Sequence, residues 1–565
     1  MKRTNTLVLI AVAFVGIGWG AYRATASPDP ELSHFVPSRA LLYLQAKDFS
    51  SWLADWDKSS EKQEWVKTNN YEVFSRSRLF LRLKDALAEF SNAAGVPATS
   101  ELVRQIAGKE SAVALFDIGK LQFLYLTRLA PGSATQSALW QTRSKFETRS
   151  AGGFTFYLRR DSESNREVAF AVTGDYLLLA TKEELMAGAL QLLAGSQEHG
   201  IEAEAWWSRS IAAAGTAGDL RMVLNLEKLV PSPYFRSYWI QQNITDLSHY
   251  SAAISDLTRD GAEYGEERVL LRKESAASED ADATGAAGVA ELVRLVPADA
   301  GIYLAKSNPK PEECVKLLET KILAPHLGPA APEKLAPQVQ LGNGETGAGS
   351  DLETRIDQAP IQQAGSTESG TLLKGVLVSN QVLASLQAQS TDGNAQDAFV
   401  RMHSVVVFLG ASDWNEQAVK TALVDSVRPG LTTGEFGVAW KSSSGVSELN
   451  GLWPLAVAVR GKYLFVADTG KVLAATLVNV DRKSTTSPSV LAAGFSHESE
   501  QAPFLKLTHM LDLGNASGGT GQAPDFFSGN IGSLSQTLRG LASEKIVVRD
   551  SADKQTQTVT YVWAR

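Results

Sequence analysis

The chain runs through one series of apolar landmarks twice in the same order, and this constrains its fold more than any other feature. ELSHFVPSRALLYLQAK at 31–47 returns as ELVRLVPADAGIYLAKS at 291–307, with Glu-Leu, Val-Pro, an Ala three residues after the Pro, and Tyr-Leu in register. AVTGDYLLLATKEELMAGALQLL at 171–193 matches AVRGKYLFVADTGKVLAATLVNV at 458–480 without a gap. RMVLNLEKLV at 221–230 resembles PFLKLTHMLD at 503–512, and the halves close on SDLTRDGAEYGEERVLLRK (255–273) and SEKIVVRDSADKQTQTVTYVWAR (543–565). Ordered self-similarity of this kind marks a repeated structural module. Val36 to Ala171 spans 135 residues and Val296 to Ala458 spans 162, so the second copy carries about 27 more. The stretch 335–370 is rich in Gly, Gln, Ser, Thr and Pro and lacks aromatics, the composition of a loop or disordered insertion, and it accounts for the surplus. The expected organisation is a first domain at 31–273, a linker at 274–290 and a second domain at 291–565. A chain of 565 residues also exceeds one hydrophobic core.

The landmarks translate into elements. Ala40–Leu44 and Gly301–Leu304 read as short strands entered through a Val-Pro turn, where proline cannot sit in a central ladder. Gly174-Asp175 is a hairpin turn between strands at Val168–Val172 and Tyr176–Ala180, and Gly461-Lys462 repeats it between Leu455–Val459 and Tyr463–Ala467. A helix of about 11 residues is expected after each hairpin, capped by Thr181 or Asp468. Thr181 and Glu184 have the capping-box spacing, and Leu185, Ala189 and Leu192 the spacing of one buried face. The fold class is therefore α+β: two tandem related domains, each an antiparallel sheet with packed helices.

Ahead of them lies MKRTNTLVLIAVAFVGIGWGAYRATASPDP. Lys2 and Arg3 precede 16 uncharged, mostly apolar residues from Leu7 to Tyr22. A spanning helix needs roughly 17–25 such residues, so this run falls just short. Ala24-Thr25-Ala26 fits a cleavage site, whereas Arg23 beside it suits a retained anchor with its basic end inside. Residues 1–26 are thus a signal peptide or an N-terminal membrane anchor. Both place the body outside the cytoplasm, in the periplasm or cell envelope, with the membrane as a partner.

The landmarks together carry a family resemblance. A secretory or anchor segment, V-P-x-x-A-x-x-Y-L, the Gly174-Asp175-Tyr176-Leu177-Leu178-Leu179-Ala180 hairpin, a helix ending near Gly195, and an aliphatic strand at Leu220–Leu226 resemble the bacterial DUF3352 family of unknown function. The resemblance covers most of 31–273 and, more weakly, 291–565. It implies an exported location and an α+β architecture and brings no catalytic residues with it.

Chemistry is sparse. The net charge of −8, with Lys and Arg interleaved among Asp and Glu, disfavours a nucleic-acid partner. The single cysteine, Cys314, excludes an internal disulfide, and its setting in PEECVKLLE is that of a small buried or half-buried hydrophobe. No two of the seven histidines lie four apart and no HExxH occurs, so no metal site is expected. GxSxG, P-loop and Rossmann patterns are absent, so no catalytic residue and no cofactor are assigned. Trp52 and Trp56 share a helical face that suits core or a lid over the sheet. Trp206, Trp207 and Trp239 are the candidate exposed aromatic surface, because adjacent tryptophans on a helix cannot both face one core.

The leading expectation is a non-enzymatic binding or scaffold module of the envelope with an envelope protein partner. The alternatives are a lipid or hydrophobic-ligand carrier, or a hydrolase with a dispersed site. A deep apolar pocket without titratable groups selects the carrier. Converging carboxylates with raised pKa select the enzyme, and a flat aromatic patch selects the binding module.

Overall fold

The computed structural model describes residues 30–130, 132–196, 200–233, 235, 246–274, 283–323, 369–392, 401–431, 439–449, 455–484, 486–516, 535 and 537–564. The N-terminal segment at 1–26 and nearly all of the 335–370 insertion lie outside the described residues; Ser369 and Gly370 open the Ser369–Ser379 helix. Among the described residues no helix is long and apolar enough to cross a membrane.

The chain is α+β, and among the described residues every strand pairing is antiparallel. Before residue 273 come β1 (Leu42–Lys47), β2 (Glu110–Asp117), β3 (Gln122–Arg128), β4 (Glu147–Ala151), β5 (Phe154–Arg160), β6 (Glu167–Thr173), β7 (Tyr176–Ala180), β8 (Leu220–Leu224), β9 (Tyr250–Asp260) and β10 (Glu263–Arg272). After it come β11 (Ile302–Ser307), β12 (Val382–Asp392), β13 (Arg401–Gly410), β14 (Trp440–Ser443), β15 (Val446–Leu449), β16 (Leu455–Arg460), β17 (Tyr463–Ala467), β18 (Leu491–Ser496), β19 (Leu541–Asp550) and β20 (Lys554–Trp563). The first ten pair in the order β4-β5-β6-β7-β3-β2-β1-β8-β9-β10. The second ten pair as β14-β15-β16-β17-β13-β12-β11-β18-β19-β20, the same order.

β10 and β20 join the two runs into one sheet, and their register is self-complementary. Glu263, first in β10, faces Val562, ninth in β20, while Leu271, ninth in β10, faces Lys554, first in β20; Glu267 and Thr558, each fifth, face one another. That is the geometry of a two-fold contact between equivalent edges.

Both hairpins stand where the sequence places them, because Gly174 and Gly461, at φ 58° and 56°, supply the left-handed turn. Their apolar strands are buried on both sides. On one face of the first half, Tyr43, Ala112, Ala114, Leu124, Leu126 and Leu178 pack against the Glu183–Leu193 and Ala205–Ala213 helices through Met186, Leu190 and Trp207. The second half covers the matching face with the Ala283–Val293 and Gly470–Leu477 helices.

Three local expectations are corrected. Thr181 does not cap the helix after β7: its hydroxyl accepts the Phe123 N–H at 2.8 Å, tying β7 to β3, and Lys182 at the N-cap position makes no side-chain cap. In the second half the cap is Thr469, which accepts from the Val472 N–H, while Asp468 turns to His403. The third sequence pair does not hold either. Residues 221–224 lie in β8, whereas 503–512 lie in the His497–Ala516 helix, and the topological counterpart of β8 is β18, beside β11 as β8 is beside β1.

Candidate functional site

Between β1 and β2 the chain inserts five helices: Phe49–Lys58, Ser60–Trp65, Asn69–Ser75, Arg78–Ala94 and Ser100–Ile106. Local chemistry delimits them. Asp48, Ser59, Ser77 and Thr99 accept the backbone N–H of Ser51, Lys62, Phe80 and Leu102, each satisfying an otherwise orphaned first-turn donor. Gly95, at φ 67°, ends the long helix in the left-handed conformation.

These helices cover the second face of the first-half sheet without filling it. A cavity of about 490 Å³ remains. Its floor is a set of cross-strand neighbours: Ala46 faces Ser111 and Leu220, Leu44 faces Val113, Val113 faces Tyr125, and Tyr125 faces Leu179. Its roof is Leu83, Ala86, Leu87 and Phe90 on the Arg78–Ala94 helix, with Leu102, Val103 and Ile106 on the next. Leu83, Leu87 and Phe90 follow the helical 4–3 spacing, so one stripe faces the void. Leu83 and Leu87 remain 46% and 52% exposed and so stand at its mouth. Trp56, Val66, Phe74, Leu81 and Val103 are exposed on the same cover.

The polar atoms in the cavity wall are satisfied. The Tyr125 hydroxyl donates to the Ile106 carbonyl at 2.7 Å, and burial holds its pKa above the usual phenol value. Ser111 Oγ lies 2.8 Å from Thr127 Oγ1, and the Thr181 hydroxyl is held by Phe123. Arg166 and Glu167 stand at one edge, paired with Glu89 and with Arg160 and Lys182 respectively. An apolar occupant therefore leaves no buried donor or acceptor stranded. In the second half Leu304, the landmark counterpart of Leu44, is 41% exposed.

Nothing in this wall resembles a reaction centre. The most suggestive pair elsewhere is His403 Nδ1 with Asp468 Oδ2 at 3.3 Å, where burial raises the Asp468 carboxyl pKa; neither residue lines this cavity. Among the described residues no cluster of His, Cys, Asp and Glu could hold a metal. Cys314 is buried, and burial pushes its thiol up to about 12.

The aromatic surface candidates separate. Trp207 is 5% exposed, edge-on to Tyr43 at 5.0 Å, and belongs to the core. Trp206 is half-buried beside it, its indole N–H held by Glu204, so the pair forms no exposed platform. Trp239 lies outside the described residues. Trp52 lies under Arg259, whose guanidinium carbon is 3.9 Å from the ring centroid, while Trp56 is 48% exposed.

The sequence does not separate the cavity residues from core, because apolar lining and core share one pattern. One signal was present. The Arg78–Ala94 helix carries Leu81 in addition to Leu83, Leu87 and Phe90, a wider apolar face than one sheet contact consumes.

No family model matches this chain, and no curated protein matches it. Among solved structures it is similar to crystal form I of TP0453 at 16% identity, over 44% of this chain and 81% of that one, with a TM-score of 0.23. Crystal form III of TP0453 gives 14% identity over 49% and 90%, with a TM-score of 0.24. Likeness at these TM-scores supports no inference about fold or function.

Proposed function

We propose that this chain binds an apolar ligand in the cavity between the first-half sheet and its five-helix cover, as a non-enzymatic carrier or binding module of the cell envelope. The observation that carries this reading is a void of about 490 Å³ whose wall is apolar and whose few polar atoms are already paired. That volume falls in the range of roughly 300–1,000 Å³ common to small-molecule sites. A hydrolase fits less well, because no nucleophile, base or carboxylate pair converges on the void. Export through the first 26 residues, the DUF3352 resemblance and the duplication into related domains at 31–273 and 291–565 belong to the same proposal. The basic start of the apolar segment supports export, and the shared strand order supports duplication.

The test is native purification from membranes, lipid extraction and mass spectrometry, beside a Val113→Trp/Leu179→Trp variant that drives two indoles into the floor of the void. Wild type is expected to carry an apolar ligand or take up a neutral polarity-sensitive dye, and the variant to do neither while melting no lower. A folded wild-type protein that is ligand-free and takes up no dye would sink the proposal.

A further inference from the structure

At the β6–β7 side the apolar cavity meets a polar one of about 280 Å³, and Arg166, Glu167 and Thr181 line both. The polar chamber gathers four cations, Arg82, Lys120, Arg166 and Lys182, against two carboxylates, Glu89 and Glu167. Glu89 accepts the Arg166 Nε–H at 2.6 Å and lies 3.8 Å from Arg82, so one carboxylate is shared by two guanidinium groups. Glu167 lies 3.6 Å from Lys182 and 3.3 Å from Arg160 outside the chamber. Lys120 makes no ion pair among the described residues and is exposed. The chamber therefore has an excess of positive charge beside a greasy void, with Arg166 on the boundary.

We propose that the occupant is an amphiphile with one apolar chain and an anionic head, a carboxylate or a phosphate monoester, whose head lies among Lys120, Arg82, Arg166 and Lys182. This rests on the apolar-ligand reading and adds the chemistry of the polar end. The chain takes the apolar void, and the head stays within reach of water where the chamber opens. An anionic head gains charge-assisted hydrogen bonds from the lysines and from those guanidinium N–H groups that are not already given to Glu89 or, for Arg166 and Arg82, to the Lys120 and Gly119 carbonyls. A neutral head gains much less, and a cationic head meets net repulsion. One acyl chain suits a void of this size, whereas a two-chain lipid doubles the demand.

The experiment is calorimetric titration of the full chain, delipidated and refolded, with palmitate, palmityl phosphate, palmityl alcohol and inorganic phosphate. Palmitate and palmityl phosphate are expected to bind about tenfold tighter than the alcohol, the worth of roughly one charge-assisted hydrogen bond. Salt should weaken the two anionic probes and leave the alcohol unchanged. Replacing Lys120→Gln and Lys182→Gln together should remove most of that preference, with alcohol affinity and melting temperature unchanged. Equal affinity for alcohol and palmitate, or an unaltered preference in the double variant, overturns the head-group assignment while leaving the apolar site standing. Inorganic phosphate that binds the chamber as tightly as palmityl phosphate does would make it a free-anion site and overturn the assignment as well. If no chain-bearing probe binds the folded protein, the apolar-ligand reading itself fails.

Discussion

Arg221 and Asp256 face each other across β8 and β9 with Nε–Oδ1 at 2.7 Å and Nη2–Oδ2 at 2.8 Å, and Asp256 also accepts the Gly218 N–H. Both side chains are about a tenth exposed, so removing one partner leaves the other charge buried and alone. Asp256→Ala should therefore cost about 3–5 kcal/mol in denaturant unfolding, far above the value of a surface pair. A loss below about 1 kcal/mol would mean that water reaches the pair. Cys314 makes the opposite prediction, one of inertness. With its thiol pushed up to about 12 by burial, it stays protonated at pH 8 and should resist iodoacetamide in the native protein, reacting only in denaturant. Mass spectrometry of native alkylation reads this directly, and rapid modification would contradict the burial. Cys314 was legible in the sequence because Leu317 and Leu318, one turn on, mark the apolar face of its helix, the face that packs into the cluster with Leu373 and Leu377. Trp206 and Trp207 were not. Periodicity shows that the two must diverge, but only the position of Tyr43 on a distant strand decides which one is buried.

Single elements show where local signals suffice and where they do not. Hairpin turns are written in two residues, so β6–β7 and β16–β17 matched their expected positions. The Thr181 box was also well formed locally, yet Phe123 on β3 offers that hydroxyl a tertiary partner and the cap is abandoned. The resemblance of 221–230 to 503–512 failed for a related reason. Short apolar runs cannot distinguish a buried strand from a helix, and the second segment had nothing besides periodicity to decide it. The five-helix cover has a further consequence. It packs over a void, so its helices depend on their caps more than helices seated on solid core. Ser77→Ala removes the acceptor for the Phe80 N–H and should cost the Arg78–Ala94 helix about 1 kcal/mol. Hydrogen exchange should show the loss in that helix while the β1–β3 amides keep their protection. A uniform loss across the sheet would mean that cover and sheet unfold as one unit.

At the scale of the molecule, the twenty strands of the described residues, in two runs of one order, meet along a seam whose register maps onto itself. Neither run's order could be read from the sequence, because antiparallel pairings such as β3 with β7 and β1 with β8 join strands far apart in the chain. The repetition of landmarks was legible, and repetition alone implies that what one half does at its edge the other half can answer. An isolated first half, residues 30–274, would present the ten-residue β10 as an unpaired edge, twice the length of the end strand β4, and a long open edge is a template for pairing with another chain. Since Glu267 already faces the strand position equivalent to its own, a second copy of β10 can take the place of β20 without a change of register. The isolated half is therefore expected to dimerise, and Arg268→Pro, which removes a donor on the seam side of β10, the side on which the Arg272 N–H and the Ala262 carbonyl bond their partners, to abolish the dimer while the rest of the half stays folded. Sedimentation equilibrium distinguishes the outcomes. A soluble, folded monomer at micromolar concentration would show that the seam is a consequence of the tether between the halves and not of the edge itself.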